Sequence, residues 1–191
     1  MHRACRRYVT TAAALIAVLG LAVGSARAQA KEGAWEAAGY LVHTLYNNQT
    51  RIGDSTGFGV RGGYYVRAAS EIELEYDRSS ANSDVDSDVT FDITKISFNY
   101  LHSFKPKRNG KLLPLFTFGL GAMNIDDGTH NANSPLFRAG GGLRYYLTPR
   151  LNFSFQGRMY RWHGGGDVTI RDSYYSLDFT VGLGCVFGGG K

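Results

Sequence analysis

Polar and apolar residues alternate along most of this chain, most sharply near its end. From Tyr174 to Phe187 the odd positions read Tyr175, Leu177, Phe179, Val181, Leu183, Cys185 and Phe187. The even positions read Ser176, Asp178, Thr180, Gly182 and Gly184. Successive side chains of a strand point to opposite faces, so this stretch predicts a strand with one apolar face and one small or polar face. Similar stretches recur between turn signals and predict eight strands, at about 35–46, 56–66, 70–78, 91–104, 114–125, 135–147, 151–162 and 173–187. No comparable window keeps a helical period.

The faces sort consistently. Phe58, Val60, Tyr64 and Val66 oppose Gly57, Gly59, Arg61 and Gly63, while Ile72, Leu74 and Tyr76 oppose Glu71, Glu73, Glu75 and Asp77. The fifth strand sets Phe116, Phe118, Leu120 and Ala122 against Thr117, Gly119 and Gly121. In the sixth, Phe137, Ala139, Leu143 and Tyr145 oppose Arg138, Gly140, Gly142 and Arg144. The seventh sets Leu151, Phe153, Phe155 and Met159 against Asn152, Ser154, Gln156 and Arg158. Two strands break the pattern. In the fourth, Phe91 and Ile93 have the opposite parity from Ile96, Phe98 and Tyr100, which calls for a bulge near Thr94 or an extension above the membrane. In the first, an inward Glu36 turns His43 outward.

Connections alternate between short turns (67–69 and 148–150, with a longer basic one at 105–113) and polar loops at 47–55, 79–90, 126–134 and 163–172. Eight strands with short turns on one side and longer loops on the other predict an all-β, eight-stranded antiparallel up-and-down transmembrane β-barrel. A soluble barrel would carry its apolar face inward. Here the polar face is rich in glycine, serine and threonine, as a narrow interior requires. Aromatics expected at the bilayer interfaces are Trp35, Tyr46, Tyr64, Tyr65, Tyr100, Phe104, Tyr145, Tyr146, Tyr160, Trp162 and Tyr174.

Residues 1–28 read as a cleaved export signal, leaving a barrel domain over 29–187 and a short tail over 188–191. Arg3, Arg6 and Arg7 precede an apolar stretch at 12–23, and Ala26-Arg27-Ala28 offers small residues for cleavage. The stretch is too short for a transmembrane helix. Four of the 21 basic residues leave with it and none of the 16 acids, so 17 stand against 16. The apparent basicity therefore gives no support to nucleic-acid binding. Cys185 is the one cysteine left, so no internal disulfide is possible.

Inward-facing acids are Glu36, Glu71, Glu73, Glu75, Asp77 and Asp178; inward-facing bases are Arg61, Lys95, Arg138, Arg144 and Arg158. Unpaired charges in so narrow a lumen cost several kcal/mol each, of that order, so they must pair across the barrel. Glu73 and Glu75 are expected to meet some of Arg61, Lys95, Arg138 and Arg158. The network replaces an apolar core and plugs the channel, or acts as a gate when pairs exchange partners. No catalytic, metal or cofactor signature accompanies it. Histidines 43, 102, 130 and 163 lack ligand spacing, and His102 and Ser103 are adjacent and face opposite sides. Asp84, Asp86 and Asp88 lack the glycine and glutamate of a calcium loop.

The run from Gly140 through Arg144-Tyr145-Tyr146-Leu147-Thr148-Pro149-Arg150-Leu151 to Arg161, with Glu71–Tyr76 and Thr94–Phe104, resembles the small outer-membrane β-barrel superfamily of the OmpA transmembrane domain, OmpX and the opacity-type surface antigens. The resemblance spans 35–187. It implies bacterial outer-membrane location, insertion by the outer-membrane assembly machinery, and an interior Glu/Arg network into which Glu73, Glu75, Arg138 and Arg158 fall by face. It also implies that the last strand, through Tyr175, Phe179, Leu183 and Phe187, carries the assembly signal. The family usually ends on that final aromatic; here Gly188-Gly189-Gly190-Lys191 follows. A cell-wall-binding domain is not expected. The expected function is a non-enzymatic structural or surface-interaction barrel, monomeric, in contact with outer-membrane lipid and lipopolysaccharide. The alternatives are a small low-conductance pore and a lipid A-modifying enzyme. Enzymes of the last kind carry a histidine and a serine two residues apart on an outward strand face, and no such pair occurs here. Loop residues Arg51, Asp84, Asp86 and His163 are surface candidates by position, for a ligand the residues do not name.

Overall fold

A computed structural model describes residues 30–47, 50, 52–83, 89–104, 111–129, 131–163 and 173–189. Arg51, Asp84, Asp86 and the expected signal lie outside it, as does the side chain of His163. Eight strands follow in order: β1 (Ala34–Leu45), β2 (Ser55–Arg67), β3 (Ser70–Asn82), β4 (Thr90–Ser103), β5 (Leu112–Asp126), β6 (Asn131–Tyr146), β7 (Leu151–His163) and β8 (Ser173–Gly188). Each pairs antiparallel with its sequence neighbour, and β8 returns to β1 from Ala34↔Gly188 to Leu45↔Leu177, closing the barrel in the order β1 to β8. Closure leaves no strand edge, which a hydrocarbon environment demands.

The wall is inside-out relative to a soluble domain. Leu41, Phe58, Leu120 and Phe137 are each 60% or more exposed, while every inward-facing charge on the strands is at most 4% exposed. Trp35, Tyr64, Tyr100, Phe104 and Tyr145 ring the short-turn end on the outside. The other six aromatics expected at the interfaces (Tyr46, Tyr65, Tyr146, Tyr160, Trp162 and Tyr174) are buried. Their parity is inward, so they pack the two ends of the lumen instead of meeting lipid.

Register decides between the two readings of the fourth strand in favour of an extension. Pairing with β3 is continuous from Thr90 to His102, and with β5 from Asp92 to Ser103, so there is no bulge near Thr94. The irregularity lies on β2, where the register to β3 shifts between Tyr65 and Arg67. β3 continues to Asn82 and the β5–β6 hairpin to Asp126↔Asn131, segments whose polar residues read as loop. The extra rungs project beyond the apolar belt, and Ile93 points into the barrel mouth. The β5–β6 tip turns at Gly128, φ +82°, whose N–H donates to Asp126 Oδ1 at 2.7 Å. At the other end Thr148 Oγ1 accepts from the Leu151 N–H at 2.9 Å and fixes the tight β6–β7 turn.

Small residues line the interior where long ones cross it. A Cβ on Gly63 would collide with the Glu71 carboxylate, and one on Gly140 with the Gly157 carbonyl and Arg158. Wall chemistry makes the first test. Phe118→Arg, near the middle of the apolar belt on β5, should destabilise the lipid-embedded barrel by about 2–4 kcal/mol. Asn131→Arg, above the belt, should change it little. Denaturant titration of the barrel refolded in vesicles reads both.

Candidate functional site

The interior is arranged in tiers. At the short-turn end an apolar floor is formed by Ala30, Ala34, Tyr65, Leu113, Tyr146 and Val186. At the loop end a larger apolar lid is built from Tyr46, Ile52, Ala81, Ile93, Met123, Ile125, Leu136, Tyr160, Trp162 and Tyr174. Ile52, just before β2, reaches the lid because its segment continues upward alongside the top of β3. Ile52 bridges Ser83, and the Gly53 N–H donates to the Asn82 carbonyl at 2.9 Å. Between floor and lid lie the eleven charged side chains.

The lower charged group turns on Arg144, brought by β6 to the foot of the barrel. Its Nη1 lies 2.8 Å from Glu71 Oε2 and 3.3 Å from Glu36 Oε2, and its Nη2 lies 3.3 Å from Glu73 Oε1. Arg144 also touches the Tyr65 hydroxyl, which donates to Glu36 Oε2 at 2.6 Å. Asn152 Nδ2 donates to the same oxygen at 3.1 Å. Arg61 spans the two groups, 3.8 Å from Glu36 and from Glu73 and 3.9 Å from Glu75. Its Nη2 donates to Ser154 Oγ at 2.7 Å.

The upper group centres on Glu75, whose Oε2 accepts from Arg138 at 2.6 Å and from Arg158 at 2.7 Å. Lys95 takes no glutamate. Its Nζ lies 3.0 Å from Asp178 and 3.3 Å from Asp77, and 5.0 Å from the centre of the Tyr160 ring. Thr44 Oγ1 donates to Asp178 at 2.6 Å, and the Tyr40 hydroxyl to Asp77 at 3.3 Å. Sequence reasoning placed Arg144 on the inward face but did not assign it to Glu73. Lys95, expected at Glu73 or Glu75, takes Asp77 and Asp178 instead. Parity gives the face of a residue; the height at which it meets its partner depends on barrel stagger.

Two further placements concern histidine. His43 faces outward, its Nδ1 2.9 Å from Thr56 Oγ1 on the neighbouring strand. His102 pairs across strands with Ser70: Nδ1 and Oγ are 3.2 Å apart, and the Tyr100 hydroxyl lies 2.9 Å from the same Oγ. This contact was missed because the partners are 32 residues apart and meet only through register. On β8, Tyr175, Phe179, Leu183 and Phe187 all take the outward face, with Phe187 opposite Trp35.

The model of the outer membrane protein beta-barrel domain family matches residues 13–187. The chain belongs to that family. It is a protein of the bacterial outer membrane. Among solved structures it is similar to Neisserial surface protein A, with a TM-score of 0.63 and 17% identity, over 82% of this chain and 100% of that one. The N-terminal barrel of Pseudomonas aeruginosa OprF gives 0.54 and 18%, over 82% and 98%. OprG of the same organism gives 0.58 and 10%, over 84% and 98%. At these identities the likeness is one of fold. A comparison with curated proteins gives no match.

Burial decides what each ion pair of this outer-membrane barrel is worth. Arg144–Glu71 and Arg78–Asp92 are nearly equal in length, 2.8 and 2.9 Å, but the first is sealed and the second is about half exposed. Arg144→Met, which leaves three carboxylates around one apolar side chain, should destabilise the barrel by about 3–5 kcal/mol. Arg78→Met should leave the unfolding midpoint where it was. Denaturant unfolding followed by tryptophan emission measures both.

Proposed function

We propose that the mature barrel is a closed, non-catalytic envelope protein whose work is done by its wall and loops, in a structural or surface-interaction role. The observation that carries this is the tiering of the lumen. Charged groups alone could rearrange into a wet path, but here they are stacked between two apolar tiers that cap both ends of the lumen. Opening a channel would require parting Ile52, Trp162 and their neighbours at one end and Tyr65, Tyr146 and Leu113 at the other, as well as exchanging ion pairs. The charges in this reading plug and brace the barrel. Residues 1–28 are an export signal, the longer loops face outward, and the outward face of β8 through Tyr175, Phe179, Leu183 and Phe187 is what the assembly machinery reads. The protein works as a monomer in contact with outer-membrane lipid.

Residues 29–191, refolded and placed in a planar bilayer, should be electrically silent while an unboiled gel band shows the closed barrel. Regular unitary steps would make it a pore. The Ser70–His102 contact gives the enzymatic alternative a concrete test. Mass spectrometry of lipid A and phospholipids from cells with and without the protein should show the same acylation, and Ser70→Ala should change nothing. Any acylation difference that Ser70→Ala abolishes would make Ser70 a nucleophile.

A further inference from the structure

Above the apolar belt the outer wall changes chemistry within two residues. The outward positions of β6 climb from Leu143 through Ala139, Phe137 and Pro135 to Asn133 and Asn131. Asn124 of β5 stands beside the last two, its Nδ2 donating to Asn133 Oδ1 at 2.9 Å and to Asn131 Oδ1 at 2.6 Å. On the other side, Arg161 of β7 lies level with Phe137 and with Tyr175 of β8. Its Nη2 donates to Ser173 Oγ at 3.1 Å, and its guanidinium lies 5.9 Å from the Tyr175 ring centre. A groove of about 200 Å³ opens here, lined by Pro135, Phe137, Arg161, Trp162 and Ser173. Pro135 has no N–H for a ladder. Among the described residues the β6–β7 pairing runs no further than Leu136↔Trp162, one rung below it.

We propose that this groove and the asparagine trio above it seat one phosphorylated glycolipid of the outer leaflet. Its phosphate lies on Arg161, its sugar hydroxyls on Asn124, Asn131 and Asn133, and the head of an acyl chain against Phe137 and Pro135. The order of chemistry up the wall (hydrocarbon, cation, amide) is the order of such a lipid from chain to headgroup. A guanidinium offers phosphate a planar fork of donors. Arg161 stands at the rim of the belt, where a long side chain reaches the headgroup layer with its stem in hydrocarbon. Each asparagine offers both a donor and an acceptor, which suits hydroxyls that are both. An anionic lipid without sugars would satisfy the arginine and leave the asparagines bonded to one another. The groove holds part of a lipid and not the whole, which fits a seat for the boundary between chain and headgroup. The inference rests on the reading of the long loops as outward, and is independent of whether the lumen conducts.

Phe137 and Ser173 line the groove, and their backbone amide NMR resonances report on it. The mature chain is refolded in zwitterionic detergent micelles and titrated with purified lipopolysaccharide, and in parallel with phosphatidylglycerol. Lipopolysaccharide should shift the Phe137 and Ser173 resonances saturably, and phosphatidylglycerol should act about tenfold more weakly. Arg161→Gln should weaken the lipopolysaccharide response about tenfold, the loss of one charge-assisted contact. Arg161→Lys should fall between. Asn131→Ala with Asn133→Ala should weaken lipopolysaccharide several-fold and leave phosphatidylglycerol unchanged. All these positions face outward, and gel mobility before boiling confirms closure of each variant. Equal responses to the two lipids, no saturable shift, or a response that Arg161→Gln leaves intact would overturn the proposal. Conductance of the same samples separates this outcome from the closed-lumen reading.

Discussion

An eight-stranded barrel encloses a space only as wide as the side chains that fill it, and this one fills the middle of that space with ions. Everything else in the structure follows from making that tolerable. Six carboxylates and five cations are held at distances that let each charge see at least one opposite charge, and hydroxyls of Tyr65, Thr44 and Tyr40 take up further carboxylate oxygens. Glycines stand where the long side chains cross, as Gly63 does beneath Glu71 and Gly140 beside Arg158. The apolar floor and lid then close the two ends over the pairs. Low dielectric strengthens the attractions and raises the cost of any pair left broken, so the network is held together by the same burial that makes it hazardous.

The wall obeys the opposite rule. Its outward face is apolar in the middle, aromatic at the short-turn end and polar where β3 to β6 rise above the belt. One strand therefore carries several environments at once. On β6, Arg144 sits in the lower charged tier and Arg138 in the upper one, Leu136 belongs to the lid, and Asn131 and Asn133 stand outside above the lipid. In the proposed reading, function lies on whichever surface remains chemically specific once lipid contact and lumen filling are satisfied, namely the upper wall and the loops.

Much of this was legible in the sequence, because a strand's period of two sorts its residues without reference to anything else. The eight strands, the direction of each face and the inward position of all eleven charges follow from parity alone. Partnership was not legible. Arg144 reaches Glu71, Glu73 and Glu36 because the stagger of a closed barrel sets the heights at which distant strands meet, and no local pattern encodes that. The lid was hidden for another reason. Ile52 and Ala81 lie in stretches whose polar neighbours read as loops, and Ile93 shows only as a parity break. The inward parity of Tyr46, Tyr160, Trp162 and Tyr174 was the available signal, obscured by the habit of placing aromatics at the bilayer interface.

Oppositely charged side chains across the lumen hold the barrel together as coupled pairs rather than merely sharing a cavity. A double-mutant cycle on Glu75→Gln and Arg138→Gln, whose parent side chains are 2.6 Å apart, tests that claim most directly. Unfolding free energies of the parent, the two single variants and the double variant in lipid vesicles give the coupling. A coupling of about 2 kcal/mol or more is the predicted result, with the double variant far closer to the singles than their sum. Additivity within about 0.5 kcal/mol would contradict it, because the two charges would then be tolerated independently and the barrel would owe its closure to the wall alone.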